Sequence, residues 1–177
     1  MTRRAWTATA VVLTGILAAI GYHALRSPAP DDEDLLRTCV TAAAHPGAAA
    51  LSGEPVTRTF ANTTGVYEHR PALDLSPTTD PADVQQVACL RRTRSGVQLN
   101  TCRYGNVSGV EAVRTKLYQG GWELTVYEVR TGRRIAVRAL AGTADSTCPP
   151  TTILRGGEGD DHTEPARADL VAAIRAR

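Results

Sequence analysis

Hydrophobic positions fall into separate blocks along the chain, each with its own period. From Ala5 to Leu25, 21 residues pass without an Asp, Glu, Lys or Arg. A helix of that length spans about 30 Å, the thickness of a bilayer's hydrocarbon core. Next, Leu35, Leu36, Cys39, Val40 and Ala43 recur at helical spacing and predict one apolar stripe, ended by His45-Pro46-Gly47. From Ala48 to Pro81 the pattern is weak, with short β-like pieces such as Val56–Phe60 broken by turn residues. From Gln85 to Leu140 apolar residues alternate in runs punctuated by Ser95-Gly96, Asn106–Gly109, Gly120-Gly121 and Thr131-Gly132. This predicts a five-stranded antiparallel meander. A last helix is expected from Thr163–Pro165 onward, capped by Thr163, with Leu170, Val171 and Ile174 on its apolar side.

The meander has a testable register. A Gly120-Gly121 turn sets Leu117 opposite Leu124 and Thr115 opposite Val126. A Val129–Gly132 loop sets Val126 opposite Ile135, Leu124 opposite Val137 and Trp122 opposite Ala139. Glu123 then meets Arg138, and Tyr127 meets Arg134, on the other face. The apolar face of Leu117, Leu124, Val126, Ile135 and Val137 is the expected core, with one or two helices packed on it. The fold class is therefore α+β behind an N-terminal transmembrane helix. A β-sandwich is the alternative, if the Val56–Tyr67 region supplies strands of a second sheet.

Flanking charges orient the first block. Arg3 and Arg4 precede it and Asp31–Asp34 follow, so the N-terminus is expected in the cytoplasm and the remainder outside. Residues 1–26 read as cytoplasmic tip and anchor, 27–34 as linker, and 35–177 as an extracytoplasmic domain. A cleaved signal peptide ending near Ala19-Ile20-Gly21 is the alternative to an uncleaved single-pass anchor.

All four cysteines, Cys39, Cys89, Cys102 and Cys148, follow the apolar segment, and an even number in an exported chain predicts two disulfides. If Ser95-Gly96 is a two-residue hairpin loop, Cys89 faces Cys102 at a non-hydrogen-bonded site, leaving Cys39 to Cys148. A four-residue loop from Thr93 to Gly96 would instead put Asn100 opposite Cys89.

The composition is 42% hydrophobic, 21% charged and only 5% aromatic, with a net charge of +2. That suits a folded domain and argues against a nucleic-acid platform. Charge is nonetheless segregated: residues 31–90 sum to −6 and residues 91–155 to +7. Arg91, Arg92, Arg94 and Arg103 crowd one predicted hairpin and form a candidate anion-binding patch. The alternative is that the acidic half folds over the basic half and cancels it.

No convergent catalytic pattern emerges. Gly105-Asn106-Val107-Ser108-Gly109 has its serine one place late for a nucleophile elbow and reads as a turn. His23, His45, His69 and His162 lack metal-ligand spacing. Glu158, Asp160, Asp161, His162 and Glu164 form an acidic loop without EF-hand order. No cofactor, metal or nucleic acid is expected.

Val84–Leu90, Thr101-Cys102-Arg103-Tyr104, Val126–Arg133 and Cys148-Pro149 together resemble uncharacterised actinobacterial extracytoplasmic proteins, often membrane-anchored. That group has no established activity, so the resemblance implies no catalytic residue. The expected function is a membrane-tethered interaction or sensing module without catalysis. Its partners would be the membrane, through residues 5–25, and an envelope protein or anionic envelope component. A secreted-type hydrolase using Asp or Glu residues is the alternative.

Overall fold

The computed structural model describes residues 27–63, 65–75, 80–105, 113–150 and 160–176. Helix α1 (Asp32–Thr41) is followed by strands β1 (Thr57–Asn62), β2 (Tyr67–His69), β3 (Gln86–Tyr104), β4 (Val113–Glu128), β5 (Arg134–Ala141) and β6 (Asp160–Thr163), then helix α2 (Arg167–Arg175). The strands form one mixed sheet, ordered β2-β1-β3-β4-β5, with β6 also pairing with β4. The fold is thus α+β, but the sheet is not a meander. β1 runs parallel to β3, and β6 runs parallel to β4. The Val56–Tyr67 region joins this same sheet, so it supplies no second layer of a sandwich.

Two strands dominate. β3 is 19 residues long, about 60 Å of extended chain. Ser95-Gly96 lies within it and makes no hairpin; Gly120-Gly121 likewise lies inside the 16-residue β4. The two strands pair antiparallel from Gln86↔Glu128 to Tyr104↔Val113, with register shifts on the β3 side around Thr93, after Ser95 and around Leu99. The extra residues sit in β3, so the pleat of β4 alternates without interruption.

Burial along β4 changes face part-way. Trp122, Leu124 and Val126 are buried on one face, whereas Thr115 and Leu117 are buried on the other. The change centres on the glycine pair. A Cβ on Gly120 would collide with the Trp122 indole and the Thr163 carbonyl oxygen, so only glycine lets Trp122 lie back across the strand. The indole Nε1 donates to Thr163 O at 2.9 Å. A buried side chain of the wrong parity therefore marks a change of covering layer, where the sequence pattern predicts a turn.

The β4–β5 register follows the expected loop only at its closed end. Tyr127 pairs with Arg134 as expected, but a bulge then sets Val126 opposite Ala136, Leu124 opposite Arg138 and Glu123 opposite Ala139. Val137 consequently turns away from the core and is 40% exposed. Leu124 and Val126 are buried as expected and Ile135 packs on the core's edge, whereas Leu117 is buried on the opposite face, outside the expected core.

Each sheet face carries its own core, and the helices lie on opposite faces. Leu35 and Cys39 of α1 pack on Phe60, Val87 and Cys89. Leu170 and Ile174 of α2 pack on Ala61, Ala88, Leu90, Trp122, Leu124 and Val126. α1 begins with a capping box: Asp34 N donates to Asp31 Oδ1 at 2.9 Å, and Asp31 N to Asp34 Oδ2 at 3.3 Å. It ends earlier than expected, at Ala42 in the left-handed region (φ 54°), and Val40 leaves the predicted stripe for solvent. α2 starts at Arg167 without a side-chain cap, because Thr163 is held in β6.

The disulfides are Cys39–Cys89 and Cys102–Cys148, which replaces the expected pairing. The expectation rested on the absent hairpin: Cys89 pairs in register with Thr125 and Cys102 with Thr115. Two disulfides indicate an oxidising, extracytoplasmic environment. Among the described residues no helix is long and apolar enough to cross a membrane; the expected span at residues 5–25 lies outside them.

Candidate functional site

A cleft of about 430 Å³ opens on the sheet face that carries α1. Leu36, Cys39 and Val40 form one wall, and the β1–β2 turn with Asn62, Gly65, Val66 and Tyr67 forms another. Its base is the sheet itself, with Cys89 and Arg91 from β3 and Glu123, Thr125 and Tyr127 from β4. These five share one pleat face, since alternate strand residues point the same way.

The rim is unusually apolar for its exposure. Val40 and Val66 are 62% and 63% exposed, against a polar base. Arg91 Nη2 donates to Glu123 Oε1 at 2.8 Å, so Glu123 pairs with Arg91 and not with Arg138. Burial pushes the Tyr67 phenol, which lies within reach of that ion pair's field, above its ordinary pKa. The Cys39–Cys89 bridge fixes the helical wall to the base. Chemically the cleft offers apolar contact at its lips and a charged pair with two phenols within, a binding arrangement. Among the described residues that line it, the one carboxylate is the ion-paired Glu123.

The candidate anion patch does not converge. Arg91 and Arg94 share the α1 face, Arg94 lying opposite Gly121. Arg92 points to the other face, where its Nη1 donates to His162 Nδ1 at 2.9 Å. Arg103 lies towards the far end of β3, opposite Arg114. The hairpin that would have gathered them does not exist.

The remaining candidates are dispersed. His69 Nε2 lies 2.8 Å from Asp74 Oδ2, while Asp74 Oδ1 accepts from Thr59 N at 2.7 Å. This buried carboxylate fastens β1, β2 and the following turn together. His45 lies 3.8 Å from Asp34. In the acidic stretch, Asp161 accepts from Thr115 Oγ1 at 3.0 Å and Glu164 pairs with Arg70 at 3.6 Å. Burial, then the Arg92 charge, holds the His162 imidazole below its ordinary pKa. No group of three His, Cys, Asp or Glu among the described residues is arranged to hold a metal. Most of the Gly105–Gly109 turn, Glu158 and His23 lie outside the described residues.

Compared with known proteins, the chain matches no family model, no curated protein and no solved structure.

The sequence pattern missed the cleft because one of its walls, residues 62–67, comes from the segment that reads as irregular, and the other belongs to a helix whose position on the sheet the pattern does not give. Val66, an apolar residue among polar and turn residues, was the available signal; Val40 read as part of the helix's apolar stripe, and only the fold brings the two to one opening.

Proposed function

We propose that the protein is a tethered extracytoplasmic recognition module, without catalysis, whose cleft takes apolar side chains of an envelope protein partner. The observation that carries this reading is the pair of exposed valines, Val40 and Val66, on two walls of one cleft. Valines this exposed add little to the fold, whereas a partner covering both recovers roughly 25 cal/mol for each Å² of apolar surface removed from water. Arg91 and Glu123 at the base would orient the partner's backbone or polar groups. The tether is the apolar segment 5–25, which would hold the domain at the membrane's outer surface. The hydrolytic reading has less support, because among the described residues Glu123 is the one carboxylate lining the cleft and is committed to Arg91.

Photo-cross-linking in intact cells tests the proposal. A photoreactive residue at Val66 should trap a defined partner, and Val40→Asp in the same chain should abolish the product without unfolding the domain. The probe at Val97, an exposed valine of β3 outside the cleft, should give no such product. Equal products from both positions would overturn the cleft as the recognition surface. Carbonate extraction tests the tether separately: release of the full chain would overturn it.

A further inference from the structure

We propose that the open face of the β3–β4 ribbon binds a linear polyanion through Arg92, Arg103, Arg114 and Lys116. Because the pleat of β4 alternates strictly, Arg114, Lys116, Tyr118 and Trp122 share one face. In register across from them stand Arg103, Thr101, Gln98 and Arg92. Arg103, Arg114 and Lys116 are exposed and form no ion pair among the described residues. Asp160, beside Lys116 in β6, is the acidic residue in register with this group. Farther along, His162 stacks on Tyr118 with ring centroids 5.7 Å apart and accepts from Arg92 at 2.9 Å.

Three features make this a surface for an anion and not merely a solvated face. First, Arg103 and Arg114 are direct cross-strand partners, and like charges so placed repel. A bound anion relieves that repulsion, which isolated surface cations do not offer. Second, the ribbon's other face is closed. Cys102, Thr115 and Leu117 are buried there, with Cys148 bonded to Cys102 and Asn100 Nδ2 donating to Ser146 O at 2.8 Å. The cationic face is the outward one. Third, the acidic residues Asp31–Asp34 lie on α1, which packs on β2 and β3 near Cys89, so they do not cover the ribbon.

The spacing selects a polymer. Alternate residues along a strand repeat at about 7 Å, and Arg114 to the level of Arg92 spans about 27 Å. No small anion reaches both ends; a chain with an anionic group at each repeat does. The position selects against lipid headgroups. Ser27 and Pro28 pack on Gly47, next to the His45–Val129 contact at the β4 end remote from Arg114. A membrane reached through the N-terminal segment would lie at that end, about 50 Å of strand from the cations. This last choice rests on the proposed tether; the rest does not.

The test is titration of the full chain with long-chain inorganic polyphosphate at several salt concentrations. Binding should weaken steeply with salt, as counterion release requires. Arg103→Gln/Arg114→Gln/Lys116→Gln should weaken it about tenfold or more and lower the slope of log affinity against log salt by about two to three. Its thermal stability should be unchanged or raised, because the repulsion is gone. Arg94→Gln/Arg130→Gln/Arg134→Gln removes the same charge elsewhere and should change affinity less than about twofold. Pyrophosphate should bind far more weakly than the polymer. Equal losses from both triple variants, equal affinity for pyrophosphate, or no binding would overturn the proposal. Preference for phosphatidylglycerol vesicles over polyphosphate would overturn the choice of polymer and count against a distal placement.

Discussion

Cys39 of helix α1 is bonded to Cys89 of β3, with their Cα atoms 5.5 Å apart, and the next residue, Leu90, points through the sheet into the opposite core. The bridge therefore backs directly, across the sheet, onto the opposite hydrophobic layer. It ties the N-terminal helix to the strand that pairs with both β1 and β4.

Peptide mapping without reduction should link a Cys39 peptide to Cys89 and a Cys102 peptide to Cys148. The loops close over 50 and 46 residues, so the chain-entropy model gives each bridge about 4 kcal/mol. Cys39→Ser/Cys89→Ser and Cys102→Ser/Cys148→Ser should lower the urea midpoint by similar amounts. A Cys89–Cys102 peptide would restore the hairpin that the long β3 replaces.

Val126→Asp should unfold the domain, because Val126 is 1% exposed in the α2-side core and an unpaired buried carboxylate costs several kcal/mol. Val137→Asp should cost about 1 kcal/mol or less, since Val137 faces solvent beyond the bulge. Circular dichroism with urea titration separates the two. Comparable losses would mean that the bulge is misplaced and the simpler register holds.

Gly120→Ala should destabilise by about 1–3 kcal/mol, through overpacking against Trp122. The indole would leave Thr163 O, so the change should also shift tryptophan fluorescence towards that of a solvated ring. Gly105→Ala, with open space around its Cβ position, should do neither.

His162 should make stability fall in mild acid. Its folded pKa is depressed by burial and Arg92, with Asp160 and Asp161 opposing. The unfolded chain therefore binds more protons than the native one as pH drops through the ordinary imidazole range. The stabilisation is fully present above about pH 6.5 and declines below it. Urea midpoints measured from about pH 7.5 down to pH 5.5 should fall, and His162→Gln should flatten the curve. An unchanged slope would assign the dependence to other groups.

What the sequence determined by itself is local. The apolar stripe from Leu35 placed α1; Leu170 and Ile174 placed α2; and the Val129–Gly132 loop placed the β4–β5 turn, down to the Tyr127–Arg134 pair. Each depends on contacts within a few residues, where hydrogen bonding and side-chain period leave little freedom. An even cysteine count likewise determined two disulfides, though not their partners.

Tertiary structure decided everything that depends on which layer covers a strand. Leu117 and Leu124 differ in parity, and along the sequence that is the mark of a turn at Gly120-Gly121. In the fold it is one strand whose buried side changes, because the Cys148 segment covers one half and α2 the other. With no turn there or at Ser95-Gly96, β3 and β4 run on as long strands, Cys89 is separated from Cys102 and the arginines divide between two faces. Strand alternation records which residues share a face, but not what lies against it; only packing between distant segments supplies that.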